Sequence, residues 1–215
     1  TLTEAETRKK AEDLFAKLGT KIKEEDTDLY ESTAIYYSEN RAYSVWVEYQ
    51  GGRYTFTDFT GFGKDQKPSF QAGSTREEVE QALAKPGISI PSQAEFREEQ
   101  RQYVFSVTRQ EIEGSVIDGN IWVTYNDDGS ISKMNHNLIT YEPVTEKEIR
   151  SLADAFAEIQ KGNFQWWKKD KIQSIIVQAV ELKYRLDTKG YYVPYYEFSA
   201  KINEEEAKIA IPALR

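Results

Sequence analysis

The sequence predicts an α+β protein made of repeated helix-plus-antiparallel-sheet units, and three observations lead there. Ser/Thr-x-x-Glu pairs occur at Thr3/Glu6, Ser74/Glu77 and Thr145/Glu148, each 71 residues after the last. A Ser or Thr that caps the third amide of a helix, with Glu reaching back to the cap's own amide, marks a helix start. Behind each start, Tyr, Val, Ile and Phe recur at every second position, the periodicity of strands with one buried face. Gly, Asn and Asp-Gly steps then separate those runs at hairpin distances. Ala11, Ala82 and Ala153 coincide on the same frame, and a unit this long exceeds the usual solenoid repeats, so packed modules are expected. The expected organisation is an N-terminal module over 1–72 and a C-terminal module over 73–215. The latter consists of two similar units, 73–144 and 145–215, sharing one core because the link from Tyr141 to Thr145 is short.

The first helix is predicted over Glu4–Leu18, with Ala11, Leu14, Phe15 and Leu18 on one stripe and Gly19 as its stop. Leu29–Tyr37, Tyr43–Tyr49 and Tyr54–Phe59 then read as a meander, in which Tyr43, Val45, Val47 and Tyr49 share a face. Lys64–Gly73 reads as a connection. A second helix is predicted over Thr75–Lys85, ending at Pro86-Gly87, followed by strands over Gln93–Glu99, Gln102–Glu111, Asn120–Asn126 and Ser130–Tyr141. Asp127-Asp128-Gly129 supplies a hairpin turn. A third helix is predicted over Glu146–Lys161, burying Ile149, Leu152, Ala153, Phe156 and Ile159. On Ile172–Asp187 the apolar Val180, Leu182, Tyr184 and Leu186 alternate with charged residues, a half-buried antiparallel strand. Tyr191–Ile202 returns beside it, and Ala207–Ile211 adds a short strand.

At 215 residues, 39% hydrophobic and 13% aromatic, the chain carries enough apolar mass for a folded core rather than a disordered segment. A formal charge of −8 repels a phosphate backbone, so nucleic acid is not an expected partner. The absence of Cys excludes disulfides, thiolate metal sites and thiol catalysis, and fits secreted proteins of Gram-positive bacteria. No apolar run is long enough to span a bilayer: Ile175-Ile176-Val177 is broken at Gln178. The chain opens at Thr1 without Met, which leaves room for a signal peptide or anchor upstream.

Chemistry is sparsely signalled. His136 is the only His, has no Cys or second His beside it, and reads as an ordinary strand residue whose replacement by Ala leaves folding nearly unchanged. No Gly-x-Ser-x-Gly elbow is present. Gly61-Phe62-Gly63-Lys64 has neither the Walker nor the dinucleotide spacing, and Asp127-Asp128-Gly129 lacks a calcium loop. No catalytic residue, cofactor or metal is expected, and the protein is expected not to be an enzyme. Gly162-Asn163-Phe164-Gln165-Trp166-Trp167-Lys168-Lys169 carries more weight. Paired Trp beside Lys suits a membrane interface, sugar stacking or a protein anchor, while Phe164 and at least one of the Trp rings are expected to lock helix to sheet. In Tyr191-Tyr192-Val193-Pro194-Tyr195-Tyr196 one strand face is core and the other presents Tyr191 and Tyr195. Trp166, Trp167, Tyr191 and Tyr195 together form the candidate interaction surface.

Residues 100–202 resemble the YycH/YycI-type extracytoplasmic regulators of Gram-positive bacteria and, more broadly, PepSY-like modules. The resemblance is carried by Tyr103-Val104-Phe105, by Val116-Ile117-Asp118-Gly119-Asn120-Ile121-Trp122-Val123 and by Asp128-Gly129-Ser130-Ile131. It continues through Lys161-Gly162-Asn163-Phe164 and Val180-Glu181-Leu182-Lys183-Tyr184 to Gly190–Phe198. These motifs are structural, and the first segment and Phe164-Gln165-Trp166-Trp167 have no counterpart in the pattern. The resemblance implies a PepSY/YycI-like fold and a non-enzymatic module of the cell envelope, a lipoprotein or anchored ectodomain. Its implied partner is an envelope protein, a sensor histidine kinase or a YycH-like protein. A glycan-binding surface module and a PepSY-type protease propeptide or inhibitor are the other readings.

Overall fold

Thr3 caps helix α1 (Glu4–Lys17) as its spacing requires: the Glu6 N–H donates to Thr3 Oγ1 at 3.2 Å and the Thr3 N–H to Glu6 Oε2 at 2.7 Å. In the computed structural model, which describes residues 1–60 and 74–215, α1 buries Thr7, Ala11, Leu14 and Phe15. The expected Gly61-Phe62-Gly63 loop and Lys64–Gly73 connection lie outside the described residues. Strands β1 (Asp28–Leu29), β2 (Thr33–Tyr37), β3 (Tyr43–Glu48) and β4 (Tyr54–Asp58) form the expected meander. On β3, Tyr43, Val45 and Val47 point inward and are buried, whereas Ser44, Trp46 and Glu48 take the other face.

Helix α2 (Arg76–Ala84) is capped by Thr75 with Glu78, one residue beyond the expected Ser74/Glu77 pair. With Thr75 as cap, Val79 is the fourth helical residue and begins the buried stripe Val79, Ala82, Leu83. Arg76 fastens the helix to the following loop, donating to the Ala94, Pro91 and Ser92 carbonyls. A second meander follows: β5 (Glu95–Glu99), β6 (Gln102–Ile112), β7 (Ser115–Tyr125) and β8 (Ile131–Tyr141). The β5–β6 and β6–β7 turns are two residues each, Gln100-Arg101 (φ 40° and 66°) and Glu113-Gly114 (φ 51° and 82°). Both have the left-handed pair of conformations that matches hairpin twist.

The two meanders are one sheet. Strand β4 pairs with β8 over Tyr54↔His136 to Thr57↔Lys133, giving eight antiparallel strands in the order β1-β2-β3-β4-β8-β7-β6-β5. Buried residues of α1, α2 and both meanders belong to one apolar cluster, from Ala11 and Phe15 through Val45 and Phe56 to Val79, Phe105, Ile121 and Met134. The chain accordingly divides into Thr1–Glu142 and Pro143–Arg215. This corrects the boundary expected at 72/73: the β4–β8 ladder and the shared core unite the first two segments, and the described buried residues of 145–215 form a cluster of their own.

In the second unit, α3 is Leu152–Gln160, capped by Ser151, whose Oγ accepts from the Asp154 N–H at 3.1 Å. The Thr145/Glu148 pair is not a cap, which removes the equal spacing on which the three-repeat expectation rested. Arg150 explains the late start. Its N–H donates to the Ala213 carbonyl at 2.8 Å and its carbonyl accepts from Tyr196 Oη at 2.8 Å, so its backbone is committed to the sheet. The buried helical positions become Ala155 and Ile159, while Ile149, Leu152 and Phe156, expected inside, are 40%, 48% and 38% exposed. Ala153 is exposed too.

The helix packs on a three-stranded antiparallel sheet in the order β11-β10-β9, formed by β9 (Ile175–Leu186), β10 (Tyr192–Ile202) and β11 (Glu205–Pro212). Its core holds Tyr196, Phe198, Ile202, Ile209 and Ile211 with Phe164. The register of β9 on β10 shifts at Ser199/Ala200, where Ser199 opposes Ala179 and Ala200 opposes Val177, leaving Gln178 as a bulge. Of the apolar series expected on β9, Val180 packs against the core whereas Leu182 and Leu186 are 42% and 46% exposed.

One glycine is required by close approach. The β6–β7 ladder shifts between Val107 and Gln110, and Asp118 Oδ1 accepts the Arg109 N–H there at 3.1 Å. Beside it Gly119 adopts φ 124°, and a Cβ on it would lie 2.0 Å from the Asn137 carbonyl oxygen of β8. Replacing Gly119 by Ala should destabilise the protein by about 3 kcal/mol. Gly114→Ala, with no atom within 4 Å of the added Cβ, should cost only about 1 kcal/mol for its left-handed backbone. Thermal melting of the two variants followed by circular dichroism checks the difference.

Candidate functional site

The loop leaving α3 is ordered from both sides. After Gly162, Asn163 donates its N–H to the Glu158 carbonyl and its Nδ2 to Glu158 Oε2, both at about 2.8 Å or less. Phe164 drops into the core at 8% exposure, and Trp166 packs half-buried against the same cluster. At the far end Asn203 clamps the chain: its Oδ1 accepts the Gln173 and Ser174 N–H groups at 2.7 and 3.2 Å, and its Nδ2 donates to the Lys171 carbonyl at 2.7 Å. Trp167 lies between these anchors and is 72% exposed. Its ring centroid is 6.5 Å from that of Trp166, and the Lys168 ammonium lies 3.8 Å from the Trp167 centroid, a cation–π contact on one face of the indole. Phe164, Gln165, Trp166, Trp167 and Lys169 line an open, shallow depression.

Tyr191 and Tyr195 belong elsewhere on this unit. Tyr191 is 49% exposed in the β9–β10 turn, where Asp187 Oδ1 accepts the N–H groups of Lys189 and Tyr191 at 2.9 and 2.8 Å. Tyr195 lies on the outward face of β10 opposite Lys183, with the Arg185 guanidinium 5.2 Å from its ring centroid. The Trp loop enters β9 at Ile175, which pairs with Ile202, whereas Tyr191 follows the opposite end, where Leu186 pairs with Tyr192. At about 3.3 Å per residue those ends are on the order of 35 Å apart. The expected four-residue surface is therefore two surfaces: both segments flank the hairpin, but from opposite ends.

His136 sits on β8 as a strand residue and is stacked on Tyr54, with ring centroids 4.7 Å apart and planes at 10°. The Lys10 ammonium lies 4.9 Å from the same Tyr54 ring. Burial pushes the His136 imidazole down to about 4, with the Lys10 charge adding to the effect, so the ring is neutral at pH 7. The stack corrects the expectation that His136→Ala is silent for folding, because the truncation would remove a packed ring. Among the described residues no three His, Asp or Glu side chains converge as a metal would require.

Trp46 was passed over by sequence reasoning. Val45 and Val47 are fully buried and fix the inward phase of β3, which turns Trp46 outward at 50% exposure. The signal was available: an aromatic on the polar phase of an alternating strand.

These features define a two-unit α+β protein in which helices share cores with antiparallel sheets, and the most exposed large aromatic of the described residues lies on a braced loop. No family model matches the chain, and no curated protein matches it. Among solved structures it is similar to the C-terminal domain of YpeB from Bacillus megaterium, at 15% identity over 99% of this chain and 93% of that one, with a TM-score of 0.32. A likeness at that level fixes neither family nor activity, and it does not single out the YycH/YycI type.

The His136 geometry sets a pH dependence. Its folded-state pKa lies below the ordinary 6.5, so the unfolded chain binds the proton first and stability falls from about pH 6.5 down to about pH 4. His136→Phe keeps a stackable ring and removes the proton. Urea unfolding at pH 7 and pH 4.5 should show a loss smaller by about 2 kcal/mol in the variant than in the unsubstituted protein.

Proposed function

We propose that the chain is a non-enzymatic, PepSY-like extracytoplasmic module that binds another protein of the cell envelope, with Trp167 as its anchor. The observation that carries this reading is an indole 72% exposed on a loop braced by Phe164, Trp166 and Asn203. An aromatic held in place before it docks loses little conformational freedom on binding, and Trp is the residue type most enriched among dominant interface contacts. The Lys168 ammonium over one face of the ring favours a protein pocket with acidic groups over sugar stacking, which uses a bare indole face. Modulation of a two-component sensor kinase, from a lipoprotein or anchored ectodomain, is the finer form of the proposal. It is supported by the residue pattern over 100–202.

Trp166 packs on the core, so the informative substitution is Trp167→Ala alone. Affinity for an envelope protein captured by the unsubstituted chain should fall by a factor of roughly 30, equivalent to about 2 kcal/mol, while the melting temperature is unchanged. Phe164→Ala, by contrast, should lower the melting temperature by removing a buried ring. Capture that ignores Trp167, or a specific sugar on a glycan array in place of a protein, would overturn the reading.

A further inference from the structure

The outer edge of β9 is unlike the other sheet edges. Strand β1 has two residues, β5 carries four charges in Glu95-Phe96-Arg97-Glu98-Glu99, and β11 ends in Pro212. These are the usual devices that keep an edge from pairing. Strand β9 is the longest of the described strands at twelve residues, contains neither Pro nor Gly, and among the described residues pairs on one side only, with β10. Its apolar face is left partly open, with Leu182 and Leu186 42% and 46% exposed.

The direction of its outward groups follows from one hydrogen bond. The Asp187 N–H donates to the Tyr191 carbonyl across the hairpin at 2.8 Å. Strand groups alternate in direction, so odd residues from Asp187 back to Glu181 turn toward β10, and the N–H and C=O groups of Leu182 and its even-numbered leucine and valine neighbours, Leu186 and Val180, turn outward. The bulge at Gln178 ends this regular stretch.

We propose that β9 is a self-pairing edge: a second copy of this chain adds its own β9 antiparallel about a twofold axis at Leu182, joining two three-stranded sheets into one of six. Charge selects that register. With Leu182 opposite Leu182, Glu181 of each copy faces Lys183 of the other, twice over. This happens at the non-hydrogen-bonded sites, where opposing side chains approach most closely. An axis at Lys183 would set Lys183 against Lys183, and one at Glu181 would set Glu181 against Glu181. Glu181, its side chain 70% exposed, already lies 3.6 Å from Lys183 of its own strand, and Lys183 is held by Glu197 at 2.8 Å, so pairing sets a second copy of the same acid–base couple beside an existing one. The run from Ala179 to Arg185 pairs wholly on the regular side of the bulge, and the exposed Leu182 side chains meet on the same apolar face.

Sedimentation velocity of the full chain should show a concentration-dependent dimer at about 100 µM. Leu182→Pro removes an outward N–H together with the Leu side chain and should give a folded monomer. Glu181→Lys and Lys183→Glu should each weaken self-association at least tenfold, and mixing the two variants should restore it as a one-to-one heterodimer, since every facing pair is then Lys with Glu. The chain has no Cys, so Leu182→Cys should crosslink to a dimer under copper–phenanthroline oxidation and Lys183→Cys should not. A monomer at every concentration up to about 500 µM, or a dimer that survives Leu182→Pro, would overturn the proposal. Should Leu182→Pro fail to fold, the charge-swap mixture decides: no recovery on mixing means that β9 is not the interface.

Discussion

The first unit depends on four pairs of residues where β4 meets β8. Tyr54, Thr55, Phe56 and Thr57 lie opposite His136, Asn135, Met134 and Lys133, and Thr55 Oγ1 donates to Asn135 Oδ1 at 2.8 Å on the outward face. Without this short ladder, β4 and β8 would both be open edges, and each meander would offer its apolar face to a single helix. With it, α1 and α2 contribute to one cluster, and Phe56 and Met134 are buried where the two meanders meet. The Lys10, Tyr54 and His136 contacts lie at the same seam. The imidazole is thereby kept neutral and acts as a flat packing surface rather than a proton donor.

Most of the elements were legible in the sequence because they are set locally. Thr3 announces its helix through side-chain hydrogen bonds spanning three residues, and the second helix is announced one residue early, at Ser74 rather than at its cap Thr75. The inward phase of β3 follows from Tyr43, Val45 and Val47, and Gly162 ends α3 as expected. What was not legible is set over long range. Nothing near Tyr54 or His136 specifies that their strands pair, so the domain boundary could not be read from composition or spacing. The Thr145/Glu148 pair has the form of a cap, and it loses to Arg150, whose backbone is bonded to Ala213 and approached by Tyr196 from a strand far along the chain.

The candidate site shows the same division. The sequence singles out Trp166 and Trp167 and allows one of the rings to lock helix to sheet with Phe164, but it does not say which ring is core and which is exposed. That difference arises because Phe164 and Trp166 pack on the core and leave Trp167 outside it, flanked by the Trp166 ring and by Lys168. Grouping Tyr191 and Tyr195 with the Trp pair failed for a geometric reason. Adjacency to a hairpin in sequence does not say which end of it a segment occupies, and a twelve-residue strand separates the two.

The two-residue turns constrain how this chain can vary. Gln100-Arg101, Glu113-Gly114 and Asn203-Glu204 all take positive φ at both positions, and five of these six residues are not glycine. Apart from Asn203, whose side chain clamps the Trp loop, identity at these sites is therefore loosely specified, while the two-residue length is what sets the facing of the strands on either side. One inserted residue would slip the ladder and turn alternate side chains to the wrong face. Such a slip would bring Gln102, Ser106 and Asn120 inward in place of Tyr103, Phe105 and Ile121. Among descendants of this sequence, substitutions should accumulate at these turns, Asn203 excepted, while insertions and deletions are purged from them.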